Sequence, residues 1–172
     1  MKSYDGHACA TNCTVVPVVT PMIGMKSLGI KSVTIRTRQA LSGAGWKLLF
    51  DAEALSGNVN PFIPQEEEKL IAELKYLLGI DVPVIASCNR VSERDGHFVS
   101  VGVELSRETT VEEVEELMKI PTLGLPSSPK LVNEIIDDSP TRQEYLWNGR
   151  GMTTTVGNIR VEGNIVRYDA LS

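Results

Sequence analysis

Two residues of this chain have surroundings that suit a nucleophile and its base. Cys13 follows Asn12 in a short loop and precedes an apolar stretch that predicts a helix. A thiol at a helix start lies near the positive end of the helix dipole and near unpaired N–H groups, and both favour the thiolate. His97 follows an Asp95-Gly96 turn and precedes an alternating, strand-like run. A fold that brings the two side chains together would supply a cysteine nucleophile with an acid–base partner.

The composition narrows the class of protein. A chain of 172 residues with 42% hydrophobic residues is long enough for one domain with a substantial core. The formal net charge is -5 and the lysines and arginines form no dense cluster, which argues against nucleic acid as a partner. The sequence shows neither an apolar run of membrane-spanning length nor a signal-peptide core, so we expect a cytoplasmic protein without a membrane partner.

The cysteine count predicts free thiols. Three cysteines without framework spacing do not form a disulfide scaffold. Cys9, Cys13 and His7 make at most half of a zinc site, and no second half follows in the sequence. We therefore expect no metal, and we expect Cys9, Cys88 and His7 to have no role in chemistry.

The periodicity of apolar residues predicts a helix, a strand, a helix, an antiparallel hairpin, a helix and a strand-rich end. This order is typical of an α+β fold, a mostly antiparallel or mixed sheet with helices packed on one face. Helices are predicted over 13–28, where Pro21 should kink or shorten the helix, over 64–78, and after Thr109-Thr110, where Val111, Val114, Leu117 and Met118 face inward. Strands are predicted over 31–40, 82–91, 98–105, 144–147, 152–160 and 164–170, and the hairpin is formed by 82–91 and 98–105. Residues 120–140 are predicted to form a loop with one edge strand.

The sequence contains no nucleotide-binding signature. Neither G-x-G-x-x-G after a strand nor G-x-x-x-x-G-K-[ST] is present. The glycine-containing cluster Ser42-Gly43-Ala44-Gly45 is weak evidence by itself, since it also fits an ordinary flexible loop. We therefore interpret residues 1–172 as a single domain without a nucleotide-binding domain.

Four motifs, in this order and at these spacings, resemble the aspartate-semialdehyde dehydrogenase family in its archaeal and fungal-like branch. They are Asn12-Cys13-Thr14, Gln39-Ala40-Leu41-Ser42-Gly43-Ala44-Gly45, Ser87-Cys88-Asn89-Arg90-Val91 and Asp95-Gly96-His97. The similarity runs over nearly the whole chain. It implies the catalytic and dimerisation domain of such an enzyme, like the C-terminal domain of glyceraldehyde-3-phosphate dehydrogenase-like enzymes, without the NADP-binding Rossmann domain and the C-terminal helix.

The resemblance implies phosphate-dependent oxidation of aspartate semialdehyde, which runs in metabolism as reduction of aspartyl phosphate. By family position, Cys13 is the nucleophile, His97 the acid–base group and Gln39 the group that orients substrate or thiolate. Arg90 is expected to bind the substrate carboxylate, which its planar guanidinium suits. The resemblance further assigns Glu66 to the substrate ammonium, Lys69 to the phosphate, and Ser42 and Gly43 to the nicotinamide half of NADP.

Each of these residues also has an ordinary structural interpretation. A lone cysteine before an apolar helix is often a small core residue, and a histidine in a turn is often merely exposed. Arg90 could be a surface charge at a strand end. A run such as Glu66-Glu67-Glu68 is usually a solvated face that favours a helix start. The motif context favours the catalytic interpretation.

Three functions fit these residues. The first is the catalytic domain of an aspartate-semialdehyde dehydrogenase, inactive alone and expected to pair as a homodimer through its sheet. The second is a CoA-thioester reductase domain of the malonyl-CoA or succinyl-CoA type with the same fold and cysteine. The third is an assembly module that keeps the fold and turns nothing over. Arg90 and the Glu66/Lys69 pair favour the amino-acid substrate over a CoA thioester.

Overall fold

The structure is a computed structural model that describes residues 10–120 and 124–172. The described part contains a six-stranded sheet, six α-helices and three short 3₁₀ helices. The strands are β1 (Ile30–Gln39), β2 (Val84–Arg90), β3 (Phe98–Leu105), β4 (Asn133–Ile135), β5 (Thr154–Glu162) and β6 (Ile165–Leu171); the helices are α1 (Val15–Met25), α2 (Trp46–Leu49), α3 (Ala52–Leu55), α4 (Glu66–Leu78), α5 (Val111–Met118) and α6 (Arg142–Tyr145).

The sheet is mixed, with strand order β2-β1-β3-β6-β5-β4. The pairs β1–β3, β3–β6 and β5–β6 are antiparallel, whereas β1–β2 and β4–β5 are parallel. Helices α1, α4 and α5 pack on one face and bury the core with it. The predicted α+β class, a mixed sheet with helices on one face, is therefore confirmed, as is the edge strand predicted within 120–140.

Two predicted elements are wrong. Residues 82–91 and 98–105 do not form a hairpin, because β1 lies between β2 and β3 and pairs with both. The Asp95-Gly96 turn therefore belongs to a connection that passes β1, and its length permits that crossing. Residues 144–147 are not a strand: the short helix α6 and a turn occupy that stretch. Four residues are too few for alternation to distinguish a strand from a helical turn.

Helix α1 runs through Pro21 and reaches Met25, followed by one 3₁₀ turn over Lys26–Leu28. Gly29, with φ of 74°, ends the segment in a conformation that suits glycine. The prediction that the helical stretch extends to about residue 28 is thus confirmed, although Pro21 does not shorten it. The helix crosses α5 at Gly24, where an added Cβ would stand 1.9 Å from the Leu117 carbonyl oxygen. Only glycine permits that approach.

The two faces of the sheet differ in polarity. On β3, Val99, Val101, Val103 and Leu105 all face the helices and are buried. The other face of the sheet is polar, and a groove of about 660 Å³ runs over it, lined by residues including Arg36, Ser100, Gly102, Glu104, Arg160 and Arg167. Strand alternation directs the large apolar side chains of β3 to the helical side of the sheet. Apolar side chains on this face include Ile85 of the edge strand β2, at 69% exposed, and Ile165 in the groove.

No helix within residues 10–120 and 124–172 is long and apolar enough to cross a membrane.

Candidate active site

One edge of the sheet collects the predicted site residues. Parallel strands end at the same edge, so the last residues of β1 and β2, Gln39 and Arg90, are register partners. Strand β3 runs in the opposite direction, so His97 immediately before it lies at that edge too. Helices α1 and α4 begin there, which adds Cys13 and Glu66. The topology thus brings together five residues that are distant in sequence.

Cys13 and His97 are in direct contact. The Cys13 sulfur lies 3.1 Å from Nε2 of His97, the thiol is exposed and the imidazole is buried. Cys13 sits just before Thr14, the residue at the helix N-cap position. The turn is closed by Asn12, whose side-chain oxygen accepts from Thr14 N–H at 2.8 Å and whose carbonyl accepts from Val15 N–H at 3.0 Å. An accessible sulfur is therefore held at a helix start beside a buried imidazole.

His97 is fixed from three sides. Its backbone pairs with Ser172 in both directions, at 2.7 and 3.1 Å. Its ring nitrogen Nδ1 accepts a hydrogen bond from the backbone N–H of Ala40 at 3.1 Å. Burial lowers the pKa of His97 below its ordinary value, and the positive charge of Arg90 lowers it further, while Glu66 acts in the opposite direction. The neutral imidazole is therefore favoured.

Glu66 organises the polar groups around the pair. It is only 7% exposed, and its carboxylate accepts hydrogen bonds from Gln39 Nε2 at 2.9 Å, from Asn12 Nδ2 at 3.2 Å and from Thr14 Oγ1 at 3.3 Å. These bonds link the helix α4 start to the end of β1 and to the cysteine loop. Gln39 also donates to Thr37 Oγ1 at 3.4 Å. A buried carboxylate satisfied in this way holds its donors in fixed positions.

Arg90 is buried and points its guanidinium at the same edge. Nη1 donates to the Ala40 carbonyl at 2.7 Å, and among the described residues this is the one hydrogen bond of the guanidinium. Burial lowers the pKa of Arg90, and the negative charge of Glu66 opposes that shift. Ala40 thus contributes both of its backbone polar groups to the site: its N–H donates to His97, and its carbonyl accepts from Arg90. The remaining guanidinium N–H groups are available to an anionic ligand.

Gly43 fits against both side chains. A Cβ at this position would stand 3.0 Å from Nη1 of Arg90 and 3.1 Å from Cε1 of His97. Ser42 belongs to the same turn, where its N–H donates to the Arg94 carbonyl at 3.0 Å. The predicted cofactor loop therefore borders the cysteine–histidine pair, with Gly43 in contact.

Lys69 is not brought into contact with the pair. It lies one helical turn beyond Glu66 on α4 and its side chain is exposed. Glu66 faces inward whereas Lys69 faces solvent, so the expectation that both meet one small substrate stays a prediction.

Three supporting residues were not predicted to contribute. Asn12 and Thr14 flank the cysteine and bond to Glu66. Glu73 accepts hydrogen bonds from the Asn12 backbone N–H at 2.8 Å and from the Thr11 hydroxyl, so it anchors the loop that precedes Cys13 to helix α4. Glu73 follows Glu66 by seven residues, which is two helical turns, so helical periodicity could have placed the two carboxylates on one face.

Cys88 differs from Cys13 in its surroundings. It is 6% exposed on β2, and burial raises the pKa of its thiol to about 11. Cys9 and His7 lie outside the described residues. Within the described part of the chain, no group of three or more His, Cys, Asp or Glu side chains is arranged to hold a metal ion.

These features define an α+β domain in which an exposed cysteine at a helix start contacts a buried histidine at one edge of a mixed sheet. Residues 19–168 match the family described as "Semialdehyde dehydrogenase, dimerisation domain", and the chain belongs to that family.

Known proteins of the family agree in sequence and in fold. The chain is 37% identical to the aspartate-semialdehyde dehydrogenase of Archaeoglobus fulgidus over 176 residues, and 31% identical to that of Trichophyton rubrum over 181 residues, covering 94% and 92% of this chain. A crystal structure of aspartate semialdehyde dehydrogenase with NADP from Candida albicans superimposes with a TM-score of 0.75 at 27% identity, over 95% of this chain and 51% of that one. The chain spans about half the length of the curated relatives it matches.

Proposed function

We propose that this chain is the catalytic and dimerisation domain of a phosphate-dependent, NADP-linked dehydrogenase of aspartate semialdehyde. The observation that carries the proposal is the 3.1 Å contact between the Cys13 sulfur and His97 Nε2 at the helix start. The curated relatives that match over nearly the whole chain bear the name aspartate-semialdehyde dehydrogenase, which supports the substrate.

The proposed chemistry proceeds through a thioester. In the direction of reduction, the Cys13 thiolate attacks the acyl carbon of aspartyl phosphate, a C–S bond forms, the bond from carbon to the phosphate oxygen breaks, and inorganic phosphate leaves. His97 is the group that handles protons beside the sulfur. Gln39, held by Glu66, orients the reacting group at the end of β1.

Substrate recognition is assigned to the charged groups around the pair. The free N–H groups of Arg90 suit the substrate carboxylate, because a guanidinium presents donors in a plane. Glu66 supplies the negative charge for the substrate ammonium. Lys69 is proposed to meet the phosphate, which would enter from the solvent side where that lysine is exposed.

The loop that contains Ser42 and Gly43 is where the nicotinamide end of NADP fits this domain. Gly43 has no side chain between the loop surface and the His97 ring, so a flat group can approach the cysteine there. When bound, NADP supplies the hydride chemistry. The sequence has no nucleotide-binding signature for its pyrophosphate, so we expect the isolated chain to produce no NADPH from the semialdehyde and phosphate.

Acyl transfer to Cys13 needs no nicotinamide, so it tests the proposal on the isolated chain. We expect incubation with aspartyl phosphate to add one aspartyl group, detected by intact mass spectrometry and mapped to Cys13, with release of one phosphate per chain. Cys13→Ser is the control, and it should form no thioester adduct. Absence of the adduct from a folded chain would contradict the proposal.

The same experiment separates the two alternatives. Faster acylation of Cys13 by malonyl-CoA or succinyl-CoA than by aspartyl phosphate would identify a CoA-thioester reductase domain. No acylation by either donor would identify an assembly module. We further propose that the domain forms a homodimer through the open face of its sheet, which is the polar face opposite the helices. The family's description as a dimerisation domain supports this pairing. A cytoplasmic location remains an expectation.

A further inference from the structure

Helix α4 presents two carboxylates to the loop that carries Cys13. Glu66 and Glu73 are separated by about two helical turns, so both side chains lie on the same face of the helix. Glu66 bonds to side chains of the loop and also to Gln39 at the end of β1. The partners of Glu73 lie in the loop itself, on the N-terminal side of the cysteine.

Glu73 holds the loop by its backbone. The Oε2 atom of Glu73 accepts a hydrogen bond from the Asn12 N–H at 2.8 Å and another from the Thr11 hydroxyl. Two donors therefore converge on one carboxylate oxygen, and hydrogen bonds to an ionised acceptor are stronger than neutral ones. The segment that immediately precedes Cys13 is fixed in this way to the middle of α4.

Asn12 transmits that position to the turn that carries the nucleophile. While its backbone N–H donates to Glu73, its side-chain Nδ2 donates to Glu66 at 3.2 Å. Its Oδ1 accepts from the Thr14 N–H at 2.8 Å, and its carbonyl accepts from the Val15 N–H at 3.0 Å. The last two bonds close the turn, so a displacement of the Asn12 backbone moves the cysteine with it.

We propose that Glu73 is a positioning residue, which holds the Cys13 sulfur in place beside His97 by fixing Asn12 to helix α4. Its contacts are with the Asn12 backbone and Thr11, so it acts on the sulfur through the loop. This role rests on the proposed function, because acylation of Cys13 is the reaction that the position serves.

Loss of the Glu73 carboxylate should loosen the loop without removing a group assigned to substrate. The bonds from Asn12 Nδ2 to Glu66 remain, but at 3.2 and 3.3 Å they are longer than the 2.8 Å bond that is lost. The 3.1 Å contact between the Cys13 sulfur and His97 then holds for a smaller fraction of the time. Reaction rates are sensitive to such misalignment, whereas the groups that bind the substrate keep their places.

Acylation by aspartyl phosphate tests the role of Glu73 as a split between rate and affinity. We expect Glu73→Ala to lower the saturating rate by about tenfold, with the half-saturating concentration changed by less than about twofold. Glu73→Gln should recover most of the rate, because its amide oxygen can accept the same two hydrogen bonds. Glu68→Ala, at an exposed acid of the same helix, is the matched control and should leave the rate unchanged.

Alkylation of Cys13 by iodoacetamide tests the same role without substrate. Under conditions where urea titration shows every variant to be folded, Glu73→Ala should slow the reaction by about fivefold, because the sulfur is held less firmly beside the imidazole. Thr11→Val removes the other hydrogen bond to the Glu73 carboxylate and should slow it less. In the double variant, Thr11→Val should add nothing to the effect of Glu73→Ala, since the acceptor is already absent.

Reduced stability of Glu73→Ala with both rates unchanged would make Glu73 an ordinary anchor of the fold and overturn the proposal. Equal loss of rate in Glu73→Gln and Glu73→Ala would overturn it as well, because glutamine retains the acceptor. If Glu73→Ala fails to fold, an unchanged alkylation rate in Thr11→Val decides against the proposal and a slower one supports it. Failure of aspartyl phosphate to acylate the unsubstituted chain would count against the proposed function only, since the alkylation rates still report on Glu73.

Discussion

Gly43 lies against the ring of His97 so closely that a Cβ at Gly43 would stand 3.1 Å from Cε1 and 3.2 Å from Nε2. Its φ lies outside the left-handed region, so the requirement for glycine comes from the neighbouring side chains and not from the backbone. The same Cβ would stand 3.0 Å from Nη1 of Arg90, which is itself held by the Ala40 carbonyl. Neither ring nor guanidinium can retreat without losing a hydrogen bond.

Gly43→Ala should therefore slow acylation of Cys13. A displacement of a few tenths of an ångström at His97 and Arg90 misaligns the sulfur and its partners, and we expect a loss of about tenfold in rate. The free energy of unfolding should change by less than about 1 kcal/mol, because alanine reduces the entropy of the unfolded chain at an exposed loop position. Stopped-flow release of phosphate and denaturant titration measure the two quantities.

Gly45→Ala is the matched control two residues away. An added Cβ there meets nothing within 4 Å, but φ is 89°, which an L side chain adopts only with strain. We expect a loss of about 1–2 kcal/mol of stability with acylation nearly unchanged. If both variants lost rate equally, the contact of Gly43 with His97 would not explain the effect.

Cys13 should be the most reactive thiol of the chain. Its sulfur is exposed beside the imidazole, whereas Cys88 is buried and its pKa is raised to about 11, so almost none of it is thiolate at neutral pH. Limiting iodoacetamide at pH 7.5 followed by peptide mass spectrometry should place nearly all label on Cys13. Preferential labelling of Cys88 or Cys9 would remove the basis for a nucleophile at position 13.

The elements of the fold were predictable where the periodicity was long. Helix α4 shows the helical repeat at Leu70, Leu74 and Leu78 and ends at Gly79 in the left-handed conformation. Strand order was not predictable in the same way. The short sequence distance between β2 and β3 favoured a hairpin, but the pairing energy of β1 with both strands, over seven or eight register positions each, places β1 between them.

The site was predictable to the extent that motifs identify residues, and no further. Residue types single out Cys13 and His97, but their distance depends on three strands and two helix starts meeting at one edge. Glu66 shows the limit: a run of three acids suggests a solvated helix start, yet Glu66 is buried and Glu67 and Glu68 are exposed. Ala40 contributes through its backbone N–H and carbonyl, which leave no signal in residue type.

Arg90→Lys should reduce acylation by aspartyl phosphate by about tenfold to a hundredfold, or roughly 1.5–3 kcal/mol. A lysine keeps the positive charge, but its N–H donors all lie on one ammonium nitrogen. It therefore cannot bind the Ala40 carbonyl and a substrate carboxylate together as a planar guanidinium can. Rates measured over a range of aspartyl phosphate concentrations report the loss. An acyl phosphate that lacks the α-carboxylate serves as the control substrate, and it should react with both forms at similar rates if Arg90 binds that carboxylate.

Stability should fall at mildly acidic pH because of His97. Burial and Arg90 lower its pKa in the folded state, while in the unfolded chain it titrates near about 6.5. Below that value the unfolded state binds the proton more readily, so the stabilisation present above pH 6.5 is lost as the pH falls toward the folded pKa. Urea titrations from pH 8 to 5 should show a smaller decrease in His97→Gln, and equal decreases would contradict the shift.

The domain should form a homodimer through the open face of the sheet, and Gly102→Arg should weaken it. Gly102 lies in the middle of that face between Thr34 and Arg167, and it forms part of the groove. An added Cβ at Gly102 has the Thr34 Cβ, at 3.9 Å, as its one neighbour within 4 Å, so a side chain can start there without a clash. On a face that already holds Arg36, Arg160 and Arg167, a further bulky cation opposes close approach of a second copy.

Sedimentation equilibrium at micromolar concentration should give a dimer for the unsubstituted chain and a larger monomer fraction for Gly102→Arg. Tyr76→Arg, on the exposed side of α4 at 86% exposure, should remain a dimer. A monomer mass for the unsubstituted chain would defeat the prediction, and dissociation by Tyr76→Arg alone would move the interface to the helical side.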